Sequence, residues 1–282
     1  MKVENPLISV LITSYNREKY IGAAMESVLA STYTNFELIV VDDGSKDKTV
    51  EIAREYERQD NRIQIFINEK NLGDYPNRNK AASYAKGKYL KYVDADDYIY
   101  PWGLALLVNM MEQFPEAGWG LCSLLQFVKK PYPFMLTPKE AYLYNYFGLG
   151  IFHKAPLSAI IKKEVFDKAG GFAPIRMAGD FEMWHRLAQK YNVVLMPDGI
   201  VWYREHGEQE YNHHRGFIPV YEKIKIDYLI DTLCPLDNDV AKDILIRSKR
   251  KLRKEIFKGI LKMNKDYIQD NLIRLRQYKN VQ

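Results

Sequence analysis

Residues 7–45 of the chain read LISVLITSYNREKYIGAAMESVLASTYTNFELIVVDDGS. The run Leu7–Thr13 is apolar almost throughout, which is typical of a strand buried on both faces of a sheet. Glu18–Ala30 follows with apolar residues at helical spacing, and Phe36–Val41 is a second apolar run. Two buried strands joined by an amphipathic helix indicate a parallel βαβ unit at the start of the fold.

The same alternation continues through the first half of the chain. Further strands are predicted at Arg62–Ile67, Tyr89–Val93 and Gly118–Phe127. Helices are predicted at Asp47–Arg58, Asp74–Ala85 and Pro101–Phe114. This order predicts an α/β fold of Rossmann type, with a mostly parallel sheet covered by helices on both faces. Such sheets bind ligands beyond the carboxyl ends of their strands, so the residues there are the candidates for function.

The second half of the chain is less regular. Lys129–Ala155 is rich in aromatic residues and proline, and we interpret it as a loop-and-helix insertion. A strand at Ser158–Lys162 and helices at Lys163–Ala169 and Asp180–Lys190 follow. After Tyr203 the pattern is wholly helical. We therefore predict one α/β domain over residues 1–215 and a basic helical extension over residues 216–282.

Composition indicates an ordinary globular protein. The chain has 282 residues, of which 47% are hydrophobic and 27% charged. Cys122 and Cys234 are far apart and lack metal-site spacing, which favours free thiols in a reducing compartment. The first residues do not form a signal-peptide pattern, and no run of about 18 apolar residues occurs. These features predict a cytoplasmic protein.

Charge is concentrated at the end of the chain. Residues 242–282 carry 13 Lys or Arg and 4 Asp or Glu, although the net charge of the whole chain is only +5. Apolar stripes at helical spacing accompany this charge, including Leu252, Ile256 and Ile260. Packing on the α/β domain, a homodimer, and peripheral contact with the inner face of an anionic membrane all fit this pattern. No nucleic-acid partner is predicted.

Acidic clusters follow two of the predicted strands. Asp42-Asp43-Gly44-Ser45 suits a base N–H or ribose hydroxyls, and its aspartates also suit capping and turn formation. Asp94-Ala95-Asp96-Asp97 places three carboxylates within four residues. Carboxylates this close repel one another unless a cation neutralises them. The sequence therefore predicts Mg²⁺ or Mn²⁺ at the second cluster.

Several stretches together resemble the family 2 glycosyltransferases of the GT-A fold. They are Ile8–Asn16, Val40–Thr49 and Val93–Asp97, with Asn71-Leu72-Gly73, Arg78-Asn79 and Ala85–Leu90 between them. The resemblance runs from about Pro6 to His206 and departs from the family at Ala81, where glycine is usual. It implies a metal-dependent, inverting transfer of a sugar from a nucleotide-diphosphate donor. By family habit the donor is a UDP-sugar, and the acceptor is a saccharide or lipid-linked hydroxyl in surface polysaccharide or glycan synthesis.

The resemblance also implies roles for individual residues. Thr13, Tyr15 and either Asp43 or Asp42 would hold the base, and Asp94 would hold the ribose. Arg78 would face the nucleotide or its phosphates. Asp96 would bind the metal, with Asp97 as the second candidate and His206 as a further one.

A third acidic segment lies in Gly179-Asp180-Phe181-Glu182-Met183-Trp184. The family has a similar segment whose aspartate is the general base, which implies this role for Asp180; the alternative is a helix cap. Glu182 and Trp184 are predicted to bind the acceptor, with Trp184 as an apolar platform for a sugar ring or, alternatively, as a core residue. Gly179 departs from the acidic residue that the family has at this position.

Two other functions compete with an active glycosyltransferase. A nucleotidyltransferase would need a glycine-rich phosphate loop after the first strand, and Tyr15-Asn16-Arg17 has no glycine. A non-catalytic nucleotide-sugar binder would not need the carboxylates at 94–97 and 180, which are all present. Both alternatives are therefore disfavoured.

Overall fold

The computed structural model describes residues 5–125, 130–207 and 216–278. Within these ranges the strands are β1 (Ile8–Ser14), β2 (Phe36–Asp42), β3 (Ile63–Ile67), β4 (Tyr89–Tyr92), β5 (Tyr98–Ile99), β6 (Ala117–Leu124), β7 (Phe134–Leu136), β8 (Ala159–Lys162), β9 (Asn192–Pro197) and β10 (Val201–Trp202). The helices are α1 (Ile21–Leu29), α2 (Thr49–Glu57), α3 (Asp74–Tyr84), α4 (Gly103–Glu112), α5 (Pro138–Phe147), α6 (Lys163–Ala169), α7 (Gly179–Ala188), α8 (Ile218–Ile230), α9 (Asn238–Leu261) and α10 (Lys265–Arg276).

Eight strands form one sheet in the order β3-β2-β1-β4-β8-β6-β9-β7. The strands β3, β2, β1 and β4 are mutually parallel, as are β6 and β9. Only β8 and β7 run against their neighbours in this sheet. The predicted mostly parallel sheet of Rossmann type is therefore confirmed.

Alternation along the strands supplies a core on each face of this sheet. Leu11 and Val41 belong to one buried cluster, whereas Val10 and Val40 belong to the other. Because successive side chains of a strand point to opposite faces, an apolar run such as β1 can serve both clusters. Cys122 lies in the second cluster, and both cysteines are free, as predicted.

The insertion after β6 contains a strand that the sequence did not reveal. β7 is three residues long and pairs with β9 at the edge of the sheet. The helix in the insertion, α5, starts at a capping box in which Thr137 and Glu140 satisfy each other's backbone N–H groups. A strand this short offers no readable alternation, so only the helical part of the insertion could be predicted.

The C-terminal helices pack on the sheet domain. Ile224 and Leu229 of α8 and Leu252 of α9 belong to the same buried cluster as Leu11 of β1. α8 contacts α7 and α10, and α9 and α10 pack against each other. In the described part of the chain, no helix combines the length and apolar composition that crossing a membrane requires.

Candidate active site

The acidic cluster lies just beyond the carboxyl end of β4, in the centre of the sheet. Asp97 is almost fully buried, and its Oδ1 accepts the backbone N–H of Arg204 at 2.9 Å. Its Oδ2 has no hydrogen-bond partner within the described residues. Burial, followed by the charges of Asp94 and Asp96, raises the pKa of Asp97 to about 8. The crowding inferred from sequence is therefore present, and it favours either a proton or a cation at this point.

His206, which is distant in sequence, contacts the acidic cluster at residues 94–97. His206 Nε2 lies 3.0 Å from Asp96 Oδ2, and the same oxygen accepts Arg17 Nε at 3.0 Å. β5 and β10 pair as an antiparallel ribbon, and this pairing brings residues 94–97 beside residues 204–206. The two segments are thereby fixed against each other.

Asp96 and His206 fit a divalent cation. No group of three or more His, Cys, Asp or Glu that could hold a metal occurs among the described residues. Two protein ligands are nevertheless sufficient for an ion that completes its shell with phosphate oxygens and water. The carboxylate oxygen suits Mg²⁺ or Mn²⁺, and the imidazole nitrogen favours Mn²⁺ of the two.

Arg78 lies between two carboxylates and is buried. Its Nε donates to Asp74 Oδ1 at 2.8 Å, and its NH1 lies 2.7 Å from Asp94 Oδ1. Burial alone would lower the pKa of this guanidinium, but the charges of Asp74 and Asp94 hold that pKa above its usual value. Arg78 therefore orients Asp94 through an ion pair.

Asp180 is the second residue of α7, at the other side of Arg78. Its Oδ1 accepts the Phe181 backbone N–H at 2.7 Å, and the buried Tyr75 hydroxyl donates to its carboxylate. Burial raises the pKa of Asp180 to about 7, although the hydrogen bonds from Phe181 and Tyr75 lower it. A carboxyl that changes protonation state near neutral pH is suited to general-base chemistry.

Tyr75 also explains the unusual glycine before Asp180. A Cβ at Gly179 would lie 2.7 Å from the Tyr75 ring and 2.8 Å from the Ala173 carbonyl oxygen. Any larger residue there would displace the ring whose hydroxyl contacts Asp180. Tyr75 did not emerge from the sequence, because a tyrosine in the first turn of a helix carries no functional signal. The i, i+4 pair of Asp74 and Arg78 was readable and could have pointed to this helix.

The two aspartates after β2 both accept hydrogen bonds from the loops around them. Asp42 accepts hydrogen bonds from Ser14 Oγ, Gly44 N, Ser45 N and Ser45 Oγ, at 2.6–3.0 Å. A carboxylate has about four acceptor positions, so Asp42 is fully used within the loop. Asp42 therefore shapes the turn, and its role in binding the base stays a prediction.

Asp43 accepts from three donor groups, Asn68 Nδ2, Leu72 N and Gly73 N, at 2.8–3.0 Å. These four hydrogen bonds from three donors hold the loop that leads into α3. Thr13 lies at the end of β1, in register with Val41 of β2, and Tyr15 next to it is 45% exposed. Thr13, Tyr15 and Asp43 thus lie near the same edge of the sheet.

Trp184 and Glu182, the two residues predicted to bind the acceptor, make their contacts within the protein. Trp184 is fully buried, stacks on Trp119 with ring centroids 5.3 Å apart, and donates Nε1 to the Lys154 carbonyl at 2.6 Å. It cannot serve as a surface platform, so that prediction is corrected to the core alternative. The physical reason is that the face of α7 that carries Trp184 packs onto the sheet.

Glu182 is likewise tied within the fold. It pairs with Arg186 at 2.8 Å, and its other oxygen accepts the Tyr228 hydroxyl of α8. The Tyr228 bond joins α7 to α8, whereas the pair with Arg186 lies within α7, and the Glu182 side chain is only 12% exposed. Asp180 and Glu182 are two residues apart and face different neighbours, as expected from helical geometry.

Comparison with known sequences places this arrangement in a family. The profile of Glycosyl transferase family 2 matches residues 9–170. An uncharacterised glycosyltransferase of Methanocaldococcus jannaschii is 30% identical over 210 residues, which are 72% of this chain and 72% of that protein. The putative glycosyltransferase EpsH of Bacillus subtilis is 40% identical over 99 residues, and the match spans 35% of this chain but only 28% of EpsH.

Solved structures with the same fold bind nucleotide sugars. S. aureus TarS, crystallised with UDP-GlcNAc, superposes with a TM-score of 0.71 at 20% identity, over 95% of this chain and 79% of that one. The mannosyltransferase PcManGT of Pyrobaculum calidifontis, in complex with GDP-Man and Mn²⁺, gives 0.61 at 18% identity, over 96% and 86%. At such identities the likeness shows the GT-A fold alone. The matched profile and the related sequences identify this chain as a member of glycosyltransferase family 2, and hence as a glycosyltransferase.

Proposed function

We propose that this enzyme transfers a sugar from a UDP-sugar to a hydroxyl of a saccharide or lipid-linked acceptor, with inversion and with the help of a divalent cation. The observation that carries the proposal is the half-buried Asp180, linked through Tyr75 and Arg78 to the acidic cluster after β4. A base on one side of Arg78 and a nucleotide-binding edge on the other match what a single displacement requires.

The donor half of the site is assigned to the strand ends. Tyr15 offers an exposed ring for stacking on the base, Asp43 an acceptor for a base N–H, and Asp94 an acceptor for a ribose hydroxyl. Asp96 and His206 would hold the cation, with Asp97 behind them. When bound, the cation neutralises the charge of the diphosphate leaving group. UDP is proposed from the resemblance of the motifs, since TarS is crystallised with UDP-GlcNAc but PcManGT with GDP-Man.

The reaction then needs one proton transfer by the protein. The acceptor oxygen forms a bond to the anomeric carbon while the bond from that carbon to the diphosphate oxygen breaks. The hydroxyl proton passes to the Asp180 carboxylate, and the nucleoside diphosphate leaves with the bonding electrons. Attack opposite to the leaving group inverts the anomeric configuration. Tyr75 positions the base, and Arg78 orients Asp94 beside the donor.

The class of product is proposed from the names of related proteins. One relative whose name states a product supports a role in polysaccharide or glycan synthesis. The Bacillus subtilis protein described as a putative teichuronic acid biosynthesis glycosyltransferase shares 42% identity over 92 residues, which are 33% of this chain and 36% of that protein.

A panel of nucleotide sugars tests the donor and the stereochemistry together. We expect a UDP-sugar with Mn²⁺ to raise the melting temperature, because a ligand that binds only the folded state stabilises it by mass action. The product of that donor with simple saccharide acceptors is then examined by NMR for its anomeric configuration. Retained configuration would overturn the inverting mechanism, and stabilisation by GDP-sugars alone would overturn the choice of UDP.

A further inference from the structure

The far end of the C-terminal helices exposes an unusual group of apolar side chains. Phe257, Ile260 and Leu261 at the end of α9, and Met263 in the turn before α10, are 56–89% exposed. We call these four residues the apolar tip. Large side chains exposed together in this way are uncommon on a soluble surface and mark contact sites.

The apolar tip is not a by-product of helix packing. The opposite face of α9 makes the contact with α10, since Leu252 is buried and a Cβ at Gly259 would lie 2.8 Å from Ile268. Phe257, Ile260 and Leu261 lie within one turn on the outward face. Among the described residues, none covers this face of the helix pair.

Basic residues surround the apolar tip. Between residues 246 and 263 the sequence has eight Lys or Arg and one Glu, and that glutamate is paired with Lys258. Seven of the basic residues are exposed, of which Arg247 pairs with Asp243. We call the other six the basic collar: Arg250, Lys251, Arg253, Lys254, Lys258 and Lys262. At helical spacing, Arg250, Arg253 and Lys254 share the outward face with Phe257.

An apolar tip with a basic collar fits a lipid surface with negative charge. Apolar side chains enter the boundary between headgroups and acyl chains, while Lys and Arg remain among the anionic headgroups. A second copy of this chain is disfavoured as the partner, because pairing these faces would bring like charges together. A nucleic acid would attract the basic collar, but its charged backbone does not complement four exposed apolar side chains.

We propose that the apolar tip and basic collar dock this enzyme on an anionic membrane surface, without a membrane-spanning segment among the described residues. The docking does not depend on the nucleotide-sugar chemistry, because none of its residues lies in the candidate active site. It would hold the enzyme next to acceptors that are attached to lipid, and it adds membrane contact to the packing of the basic tail on the α/β domain.

Vesicle flotation of the full chain tests this docking. We expect binding to phosphatidylcholine vesicles that contain phosphatidylglycerol, much less binding to phosphatidylcholine alone, and a loss of binding as salt increases. The triple variant Arg250→Gln, Arg253→Gln, Lys254→Gln should bind more than tenfold more weakly, since each basic residue contributes roughly fivefold. The double variant Phe257→Ser, Leu261→Ser should also lose binding.

Matched variants control for exposed residues elsewhere. Ile230→Ser with Leu233→Ser removes two side chains that are 58% and 54% exposed but lie near the other end of α9. This variant should float like the unmodified chain. Circular dichroism and UDP-sugar binding should be unchanged in every variant, which separates failure of docking from failure of the donor site.

Two results would overturn the docking proposal. The first is that the unmodified chain does not float with anionic vesicles, or floats equally well after the tip and collar are changed. The second is that light scattering shows a dimer which the Phe257→Ser, Leu261→Ser variant converts to a monomer while vesicle binding persists. That result would assign the surface to a second copy of the chain.

Discussion

At the scale of single residues, the site depends on a few carboxyl groups that the fold keeps out of water. Asp97 is raised to a pKa of about 8 and Asp180 to about 7, both chiefly by burial. Desolvation disfavours the charged form of an acid, so each site holds a carboxyl that is ready to gain or lose a proton near neutral pH. The roles differ because Asp97 adjoins other carboxylates, whereas Asp180 adjoins a tyrosine hydroxyl.

The raised pKa of Asp180 predicts how kcat/KM falls on the acid side of its pH profile. The base must be ionised, and burial raises its pKa from 3.8 to about 7, so its ionised fraction falls as the pH drops through that value. We expect kcat/KM to fall about tenfold per pH unit below this point. Initial rates in overlapping buffers measure it. A profile that stays flat down to pH 5 would contradict the assignment of Asp180 as the base.

Tyr75→Phe should move that limb to higher pH. The variant keeps the ring that packs beside Gly179 but removes the hydroxyl that donates to the Asp180 carboxylate. Hydrogen bonds to an ionised group favour that form, so their loss raises the pKa of Asp180, by about one pH unit. Activity should recover at alkaline pH.

The matched control for this variant is Tyr84→Phe, on the same helix α3, whose ring stacks on Phe66 away from Asp180. It should leave the profile unchanged. An equal loss of activity at every pH in Tyr75→Phe would mean that Tyr75 has only a structural role.

At the scale of elements, the site is assembled by the shortest strands in the fold. β5 and β10 have two residues each, yet their pairing brings Asp96 and His206 within 3.0 Å. Arg204 adds two hydrogen bonds to the acidic cluster from the same segment. A two-residue strand has no detectable periodicity, so this convergence could be expected only from the resemblance of the motifs and not from pattern.

His206→Ala should weaken Mn²⁺ binding in the presence of UDP at least tenfold, because it removes one of two protein ligands proposed for the ion. Titration calorimetry or the EPR signal of free Mn²⁺ measures this directly, without any need for turnover. His153→Ala is the control and should bind Mn²⁺ normally, because this histidine lies in the insertion after β6. Equal affinity in both variants would exclude His206 as a ligand.

At the scale of the whole molecule, most long apolar or periodic elements were predictable, but the six-residue strand β9 was not, and neither were local contacts. The strands β1 and β2, the helices α3 and α7 and the mostly parallel sheet follow from apolar runs and helical spacing. β7 was missed because an edge strand of three residues leaves no pattern. The boundary between residues 215 and 216 falls at a segment outside the described residues and stays a prediction, although α8 and α9 share the core of the sheet domain.

The candidate site shows the same division. The clusters after β2 and β4 were readable because several carboxylates directly follow an apolar run in each case. Spacing alone could not separate Asp42 from Asp43, which differ only in the number of loop donors that each accepts. It also placed Trp184 on the face of Asp180, whereas tertiary packing buries the ring against Trp119.

The most direct test of the central claim compares Asp180→Asn with Glu182→Gln, two acid-to-amide changes on the same helix. Transfer from a UDP-sugar and equilibrium binding of UDP are measured for each variant. The account predicts that Asp180→Asn reduces turnover at least about a thousandfold with UDP affinity intact, because the amide cannot accept the proton. Glu182→Gln should retain most activity, since Glu182 pairs with Arg186 within α7 and accepts the Tyr228 hydroxyl of α8. Near-normal turnover by Asp180→Asn would contradict the account.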